Sequence, residues 1–280
     1  MASANPFAEL SSTISPGVIQ TYVVLMIILV IAGTIFDVIH KRSARYFFEN
    51  WRDSQKQSRR EVSHGEIAVM AVQTLAVEVA TSAEFCNPHR RIAHLLTMYG
   101  TIAYVVATVA MVFGYPTPAT PSPWIWPFLW HVGALATCVG GYWFWFFIRA
   151  DVAAEGQSPF RLMQADLFVL SLLASTTLGL LWSIFQGTGF GWVCFVLWVF
   201  ATTVLFGGVP WSKFAHMFFK PAAALQKRIT KADGSQENLP DLGELTDPEL
   251  QAKYPDIPAY MGDKPPYMGL GIKRESPNHY

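Results

Sequence analysis

Nineteen of the twenty Lys and Arg residues of this 280-residue chain fall in segments that alternate with apolar stretches long enough to cross a bilayer, and the other, Lys213, falls near the end of the last stretch. No other feature limits the fold so strongly. The stretches cover about 18–39, 92–113, 127–148, 165–186 and 192–219. Each holds at least about twenty residues, the length at which a helix crosses a hydrocarbon core of about 30 Å. In lipid a helix satisfies its own backbone, as a spanning segment must. Nine basic residues lie in 41–91, two (Arg149 and Arg161) between the third and fourth stretches, and nine from Lys213 onward. Segments 1–17, 114–126 and 187–191 have none. The positive-inside rule then places the N-terminus outside and 41–91 and the tail in the cytoplasm. Five spans keep this asymmetry, whereas four or six break it. The expected fold is all-α: an integral membrane five-helix bundle over 1–228 and an extended cytoplasmic tail over 229–280.

Composition agrees. Hydrophobic residues make up 52% and charged residues 14%, against about 25% charged in soluble domains. So few charges could not cover a soluble globule, and disorder is excluded too. A net charge of zero argues against a nucleic-acid binder, which carries a basic excess. Cys86, Cys138 and Cys194 are too few for a disulfide framework or an iron–sulfur cluster.

Residues 41–91 are too many for a plain connector. Within Gly65–Phe85, Ile67, Met70, Ala71, Leu75 and Val79 recur near helical spacing, interrupted by Glu66, Gln73, Glu78 and Glu84. This predicts an amphipathic cytoplasmic or interfacial helix rather than a sixth span, because the acids make a crossing costly. The loop YPTPATPSPWIWP over 115–127 is too rich in proline for a helix, and Trp124 and Trp126 suit a membrane interface. From Ala232 on, Gly, Pro, Asp and Glu dominate, which predicts a tail ordered only against a partner.

Chemistry has few candidate carriers. His40, His64, His89 and His279 sit among charges or in the tail and read as solvated. His94 and His216 fall at the cytoplasmic ends of the second and fifth stretches, at one depth on antiparallel helices. Two imidazoles facing across a bundle are the geometry that clasps a b-type haem, with Arg90, Arg91 or Lys213 placed to meet the propionates. Two interface histidines bonded to carbonyls or headgroups would give the same spacing. His131 has no facing histidine at its depth. It reads as a structural hydrogen-bonding residue, as a residue beside a quinone or proton path, or as a lone haem ligand. Cys138 and Cys194 read as packing residues, and Gly140-Gly141 as a close helix contact.

PWSKFAHMFFKP over 210–221 resembles the end of the last membrane helix in cytochrome b-type subunits of quinone-linked complexes. That group holds the nitrate reductase gamma subunit and the heterodisulfide reductase membrane subunits. RRIAHLLTMYG over 90–100 resembles the start of the second helix of the same group, and the resemblance covers roughly 15–228. It implies that His94 and His216 match the ligands of the cytoplasm-proximal haem. A distal haem would need histidines where this chain has Tyr104 and Trp198, so the resemblance implies at most one haem b. A free-standing chain of this length with such a tail looks like the membrane anchors associated with dissimilatory adenylylsulfate reductase in sulfur-oxidising bacteria. That implies a multi-pass protein of the bacterial inner membrane, a cytoplasmic iron–sulfur flavoprotein as partner, and quinone as exchangeable substrate. The chain is then a non-catalytic oxidoreductase subunit. A cofactor-free anchor docking the same enzyme is the alternative. A small-molecule transporter is disfavoured, since no inverted repeat or broken helix is evident.

Overall fold

A computed structural model describes residues 4–40, 43–83, 85, 87–150, 156, 158–211, 216–235 and 248–253. The sequence predicts an extended tail over 229–280; where it is described it is helical over 229–233 and 248–253, and 236–247 and 254–280 lie outside the described residues. Among the described residues the chain is helical and has no strand. Five helices among these residues are long and apolar enough to cross a membrane, the number expected, and the chain is a multi-pass membrane protein by that measure.

A short helix α1 (Pro6–Leu10) is capped by Asn5, whose side chain accepts from the Phe7 and Ala8 amides. The first span α2 (Pro16–His40) follows. Its buried residues, Ile19, Val23, Met26, Gly33 and Asp37, form one narrow face, and most of its large apolar side chains are exposed. Such a helix is stable only with lipid around it. The amphipathic helix α3 (Ser43–Lys56) comes next. Sequence reasoning did not anticipate it, because charges at Arg45, Glu49, Arg52 and Asp53 obscure the Phe47–Trp51 pair. Arg45–Glu49 and Asp53–Lys56 are neighbours on its surface, at 2.7 and 2.6 Å.

Helix α4 (His64–Gln73) opens with a reciprocal cap between Ser63 and Glu66. It continues as a π segment over Thr74–Val79. This is the helix expected in Gly65–Phe85, and it is not among the spans. The second span, α5 (Pro88–Val109), runs on through a π turn to Gly114. It begins before the expected Ile92 because Asn87 caps it and Pro88 fits the first turn. The third span, α6 (Ile125–Trp143), ends in a π turn at Ile148. The fourth and fifth are α7 (Leu167–Ile184) and α8 (Gly189–Gly207).

The fifth span is shorter than expected. The sequence reading carries it to 219, but α8 stops at Gly207. The Gly208 amide donates to the Val204 carbonyl at 2.8 Å, and a Cβ there would meet that oxygen at 2.5 Å. Pro210 then lacks the N–H a continuing helix needs. A single 3-10 turn covers Val209–Trp211, and His216 opens a separate helix, α9 (His216–Asp233). A short α10 (Pro248–Lys253) is the last described element.

The tightest pairs are α5 with α6 and α7 with α8. Gly140 and Gly141 make the expected close contact, with two partners. A Cβ on Gly140 would meet Ala93 O of α5 at 2.5 Å, and one on Gly141 would meet Leu173 Cδ2 of α7 at 2.5 Å.

The two ends of the bundle differ. At the far end, opposite the basic segments, α1 inserts Phe7 among Trp130, Trp182 and Trp198, with ring centroids 6.0, 5.4 and 6.0 Å away. Each such pair contributes about 0.5–1.5 kcal/mol beyond its buried area. The plug is pinned by Asn5 Nδ2 donating to Tyr115 O at 2.8 Å and Gln186 Nε2 donating to Pro6 O at 2.6 Å. At the basic end the connector and the segment after α8 fold onto one another. The Arg59 and Arg60 amides donate to Asp233 O at 2.8 and 3.3 Å. Arg60 Nε donates to Ala232 O at 2.9 Å, and Arg228 pairs with Glu78 at 2.8 Å. These contacts put 43–85 and 216–235 at the same end, as an even number of spans between them requires.

Candidate functional site

The corner where α5 leaves the basic end gathers most of the described candidate residues. Here the chain turns back between the π segment and α5. Ser82 makes that turn at φ 49°, the left-handed region a non-glycine residue seldom adopts, and it is buried. Its Oγ lies 3.0 Å from His94 Nδ1. The Phe85 ring packs on the His94 ring with centroids 4.9 Å apart. Two cations approach the same Phe85 ring: Arg90 Cζ at 5.5 Å and, from α9, Lys220 Nζ at 5.3 Å. Arg91 Nε donates to Thr81 O at 2.7 Å, and the Tyr99 hydroxyl donates to Ala80 O at 2.6 Å.

His94 and Arg90 therefore share one corner, and Arg91 holds the turn that builds it. Lys213 lies outside the described residues. His216 is described in its backbone only, as the first residue of α9, one helical turn before Lys220. Lys220 was not anticipated, since its place at Phe85 depends on the helix break after Gly207.

Among the described residues no three His, Cys, Asp or Glu side chains gather for a metal ion. Haem iron needs only two axial donors. A ligating imidazole usually has its other nitrogen fixed by an outer hydrogen bond, and Ser82 gives His94 such a bond. That is the respect in which the residues present fit one haem at this corner.

They do not fit a second. Tyr104 and Trp198, at the positions of a distal ligand pair, bond to each other: Trp198 Nε1 donates to the Tyr104 hydroxyl at 2.8 Å. Tyr104 also packs on Trp130 at 5.1 Å, and Trp198 on Trp182 at 5.5 Å. Both residues are buried, so the space between α5 and α8 is filled by their own rings.

His131 has both nitrogens engaged. Nδ1 lies 2.7 Å from Pro127 O and Nε2 2.8 Å from Ser183 Oγ. Facing a carbonyl, Nδ1 carries the proton, and Nε2 accepts from the serine hydroxyl. The two bonds tie α6 to α7 through the ring. Cys138 and Cys194 are buried and free, and Cys138 Sγ sits 3.4 Å from Thr176 Oγ1. Cys86 lies outside the described residues.

The Arg149 guanidinium, which the sequence marks only as a basic residue of the loop, is nearly sealed from solvent at 1% exposure. Nη2 pairs with Asp166 Oδ2 at 2.6 Å and donates to Arg161 O at 2.9 Å. The group lies 4.1 Å over the Trp145 ring. Asp166 Oδ2 also accepts from the Met163 amide at 2.9 Å. Together they clamp the loop joining α6 to α7 at the basic end.

No protein-family model matches the chain, and no curated protein or solved structure is similar enough to it to show kinship. The resemblance to cytochrome b-type subunits rests on the two sequence segments alone.

Proposed function

We propose that this protein is a membrane anchor and electron-transfer subunit. It links a cytoplasmic iron–sulfur flavoprotein, of the adenylylsulfate reductase type, to the quinone pool of a bacterial inner membrane. The observation that carries this reading is the His94 corner, where an imidazole held by Ser82 sits beside two cations at the mouth of the bundle. A haem b bound between His94 and His216 would supply one-electron chemistry at this face. Ser82 fixes the orientation of the His94 ring, and Phe85 shields its flank. Arg90 and Lys220 supply positive charge for propionates, a role the sequence reading also gives to Arg91 and Lys213. The basic end supplies the dock, with α3 and α9 as its folded part and the tail as its adaptable part.

A cofactor-free anchor is the second reading. It is favoured by the contacts His94 already makes with Ser82 and Phe85, which a purely structural histidine would also make. A reduced-minus-oxidised visible spectrum of the purified chain separates the two, since only a b-type haem gives sharp bands. The dock has its own test. Deleting Asp241–Tyr280 is expected to release the soluble enzyme from membranes while the spans stay inserted. Full retention of the enzyme would move the dock away from the tail.

A further inference from the structure

The α4 arm, helix plus π segment from His64 to Val79, has one face without a neighbour among the described residues. Its inner face carries Ile67, Ala71 and the fully buried Thr74, and the arm packs on α9. Its outer face carries Val69, Val72 and Leu75, which are 56, 66 and 58% exposed. From Gly65 to Ala80 the only charged residues are Glu66 and Glu78. Both are drawn off the outer face by arginines: Arg60 reaches Glu66 at 3.1 Å and Arg228 reaches Glu78 at 2.8 Å. What remains outward is an uncharged stripe, apolar except for the exposed Gln73.

The place of the arm says what covers that stripe. Its end is bonded to α5 through Tyr99 to Ala80 O and Arg91 to Thr81 O. The turn therefore lies beside α5 between the levels of residues 91 and 99. The span containing α5 has 27 residues, about 40 Å against a hydrocarbon core of about 30 Å. The excess puts the membrane boundary near that same level. Around it α5 exposes Ile92, Tyr99 and Ile102, at 47, 50 and 51%, on a helix that can be stable only in lipid. The arm itself, about 24 Å long by helical rise, is too short to cross and turns back at Ser82.

The geometry points to lipid as the partner of this face. The α4 arm is a half-inserted interfacial element whose Val69–Val72–Leu75 stripe lies in the acyl–headgroup boundary of the basic-side leaflet. The inference is independent of haem and quinone. It divides the connector into two parts: α3 stays available to a soluble enzyme, and the outer face of α4 does not.

The test uses the full chain in nanodiscs of phosphatidylcholine and phosphatidylglycerol. Spin labels are placed singly at Val72→Cys and Leu75→Cys, with Glu49→Cys on α3 as the water-exposed reference, in a background lacking the native cysteines. At Val72 and Leu75, dissolved oxygen is expected to relax the label several-fold more than a water-soluble nickel complex does, and the order should reverse at Glu49. Nickel access at Val72 and Leu75 equal to that at Glu49 would put the arm in water and overturn the inference. Immobilised labels reached by neither reagent would mean that a protein surface covers the stripe, and would overturn it as well. The unmodified chain gives a second reading that needs no variant. A bilayer-soluble diazirine should modify 67–79 to the same extent as 92–102, and absence of modification in 67–79 would contradict the inference.

Discussion

The far end and the basic end of this bundle are built by opposite means. At the far end, Phe7, Trp130, Trp182 and Trp198 close on one another, and buried polar atoms such as the Tyr104 hydroxyl are satisfied inside the bundle. At the basic end, segments far apart in sequence meet through main-chain bonds and ion pairs, Arg59 with Asp233 and Arg228 with Glu78. There His94 remains exposed. A closed aromatic core leaves no space for a planar cofactor, whereas a polar corner with an imidazole and two cations has the chemistry to hold one. The comparison teaches that one end of the five helices is closed by packed rings and the other by polar contacts between segments distant in sequence.

The largest expected effect falls on the buried Arg149–Asp166 pair of the basic end. Arg149→Met leaves the Asp166 carboxylate without its partner and should cost about 3–5 kcal/mol, read as a lower unfolding midpoint in detergent. Arg149→Met combined with Asp166→Leu should recover much of that loss. A single variant as stable as the parent would show that the clamp does not hold this end together.

Next comes the far end. Trp198→Phe keeps a ring but leaves the buried Tyr104 hydroxyl without the indole donor, which should cost about 1–3 kcal/mol. Its effect should add to that of Arg149→Met, because the two sites share no partner. Strong coupling between them would break the division into two ends. His94→Ala should cost about 1–2 kcal/mol, since the ring is exposed but the buried Ser82 hydroxyl loses a partner and Phe85 a packed ring. A large loss there would make His94 a structural residue.

The smallest effect is on pH. The hydrogen bond from the Ser63 amide, and then Arg60, hold the Glu66 carboxyl below the ordinary glutamate range. A depressed carboxylate pKa adds stability above the unfolded-state value, about 4.3, and that stability is lost as pH falls through the lower folded-state value. Cleavage by an acid-active protease just before α4 should therefore rise below about pH 4.3, and Glu66→Gln should remove the dependence. An unchanged profile in Glu66→Gln would show that the cap does not control this turn.

Much of the fold was legible because lipid imposes a length and a composition that a linear sequence displays directly. The stretches beginning near Val18, Ile92, Pro127, Ala165 and Trp192 each became a span. The Glu66 and Glu78 interruptions correctly marked α4 as something shorter. The end of the fifth span was misread because hydropathy stays high through Val209 and Trp211, while Gly208 and Pro210 break the helix. The α1 plug was invisible: a five-residue helix has no period to detect, and Phe7 matters only through rings more than a hundred residues away. The candidate site was legible in part. His94 and Arg90 could be named from spacing, but Ser82, Phe85 and Lys220 meet only through the turn and the break. Tyr104 and Trp198 showed what was missing, though not that they bond to each other.

The central claim is that one haem b sits at the basic end and none at the far end. Reduced-minus-oxidised spectra of the parent chain, His94→Ala and Tyr104→Phe, each purified from membranes in the same detergent, test it most directly. The account predicts a b-type α band in the parent and in Tyr104→Phe, and its loss in His94→Ala with the protein still inserted. A parent chain without the band, or a band that survives His94→Ala, would contradict it.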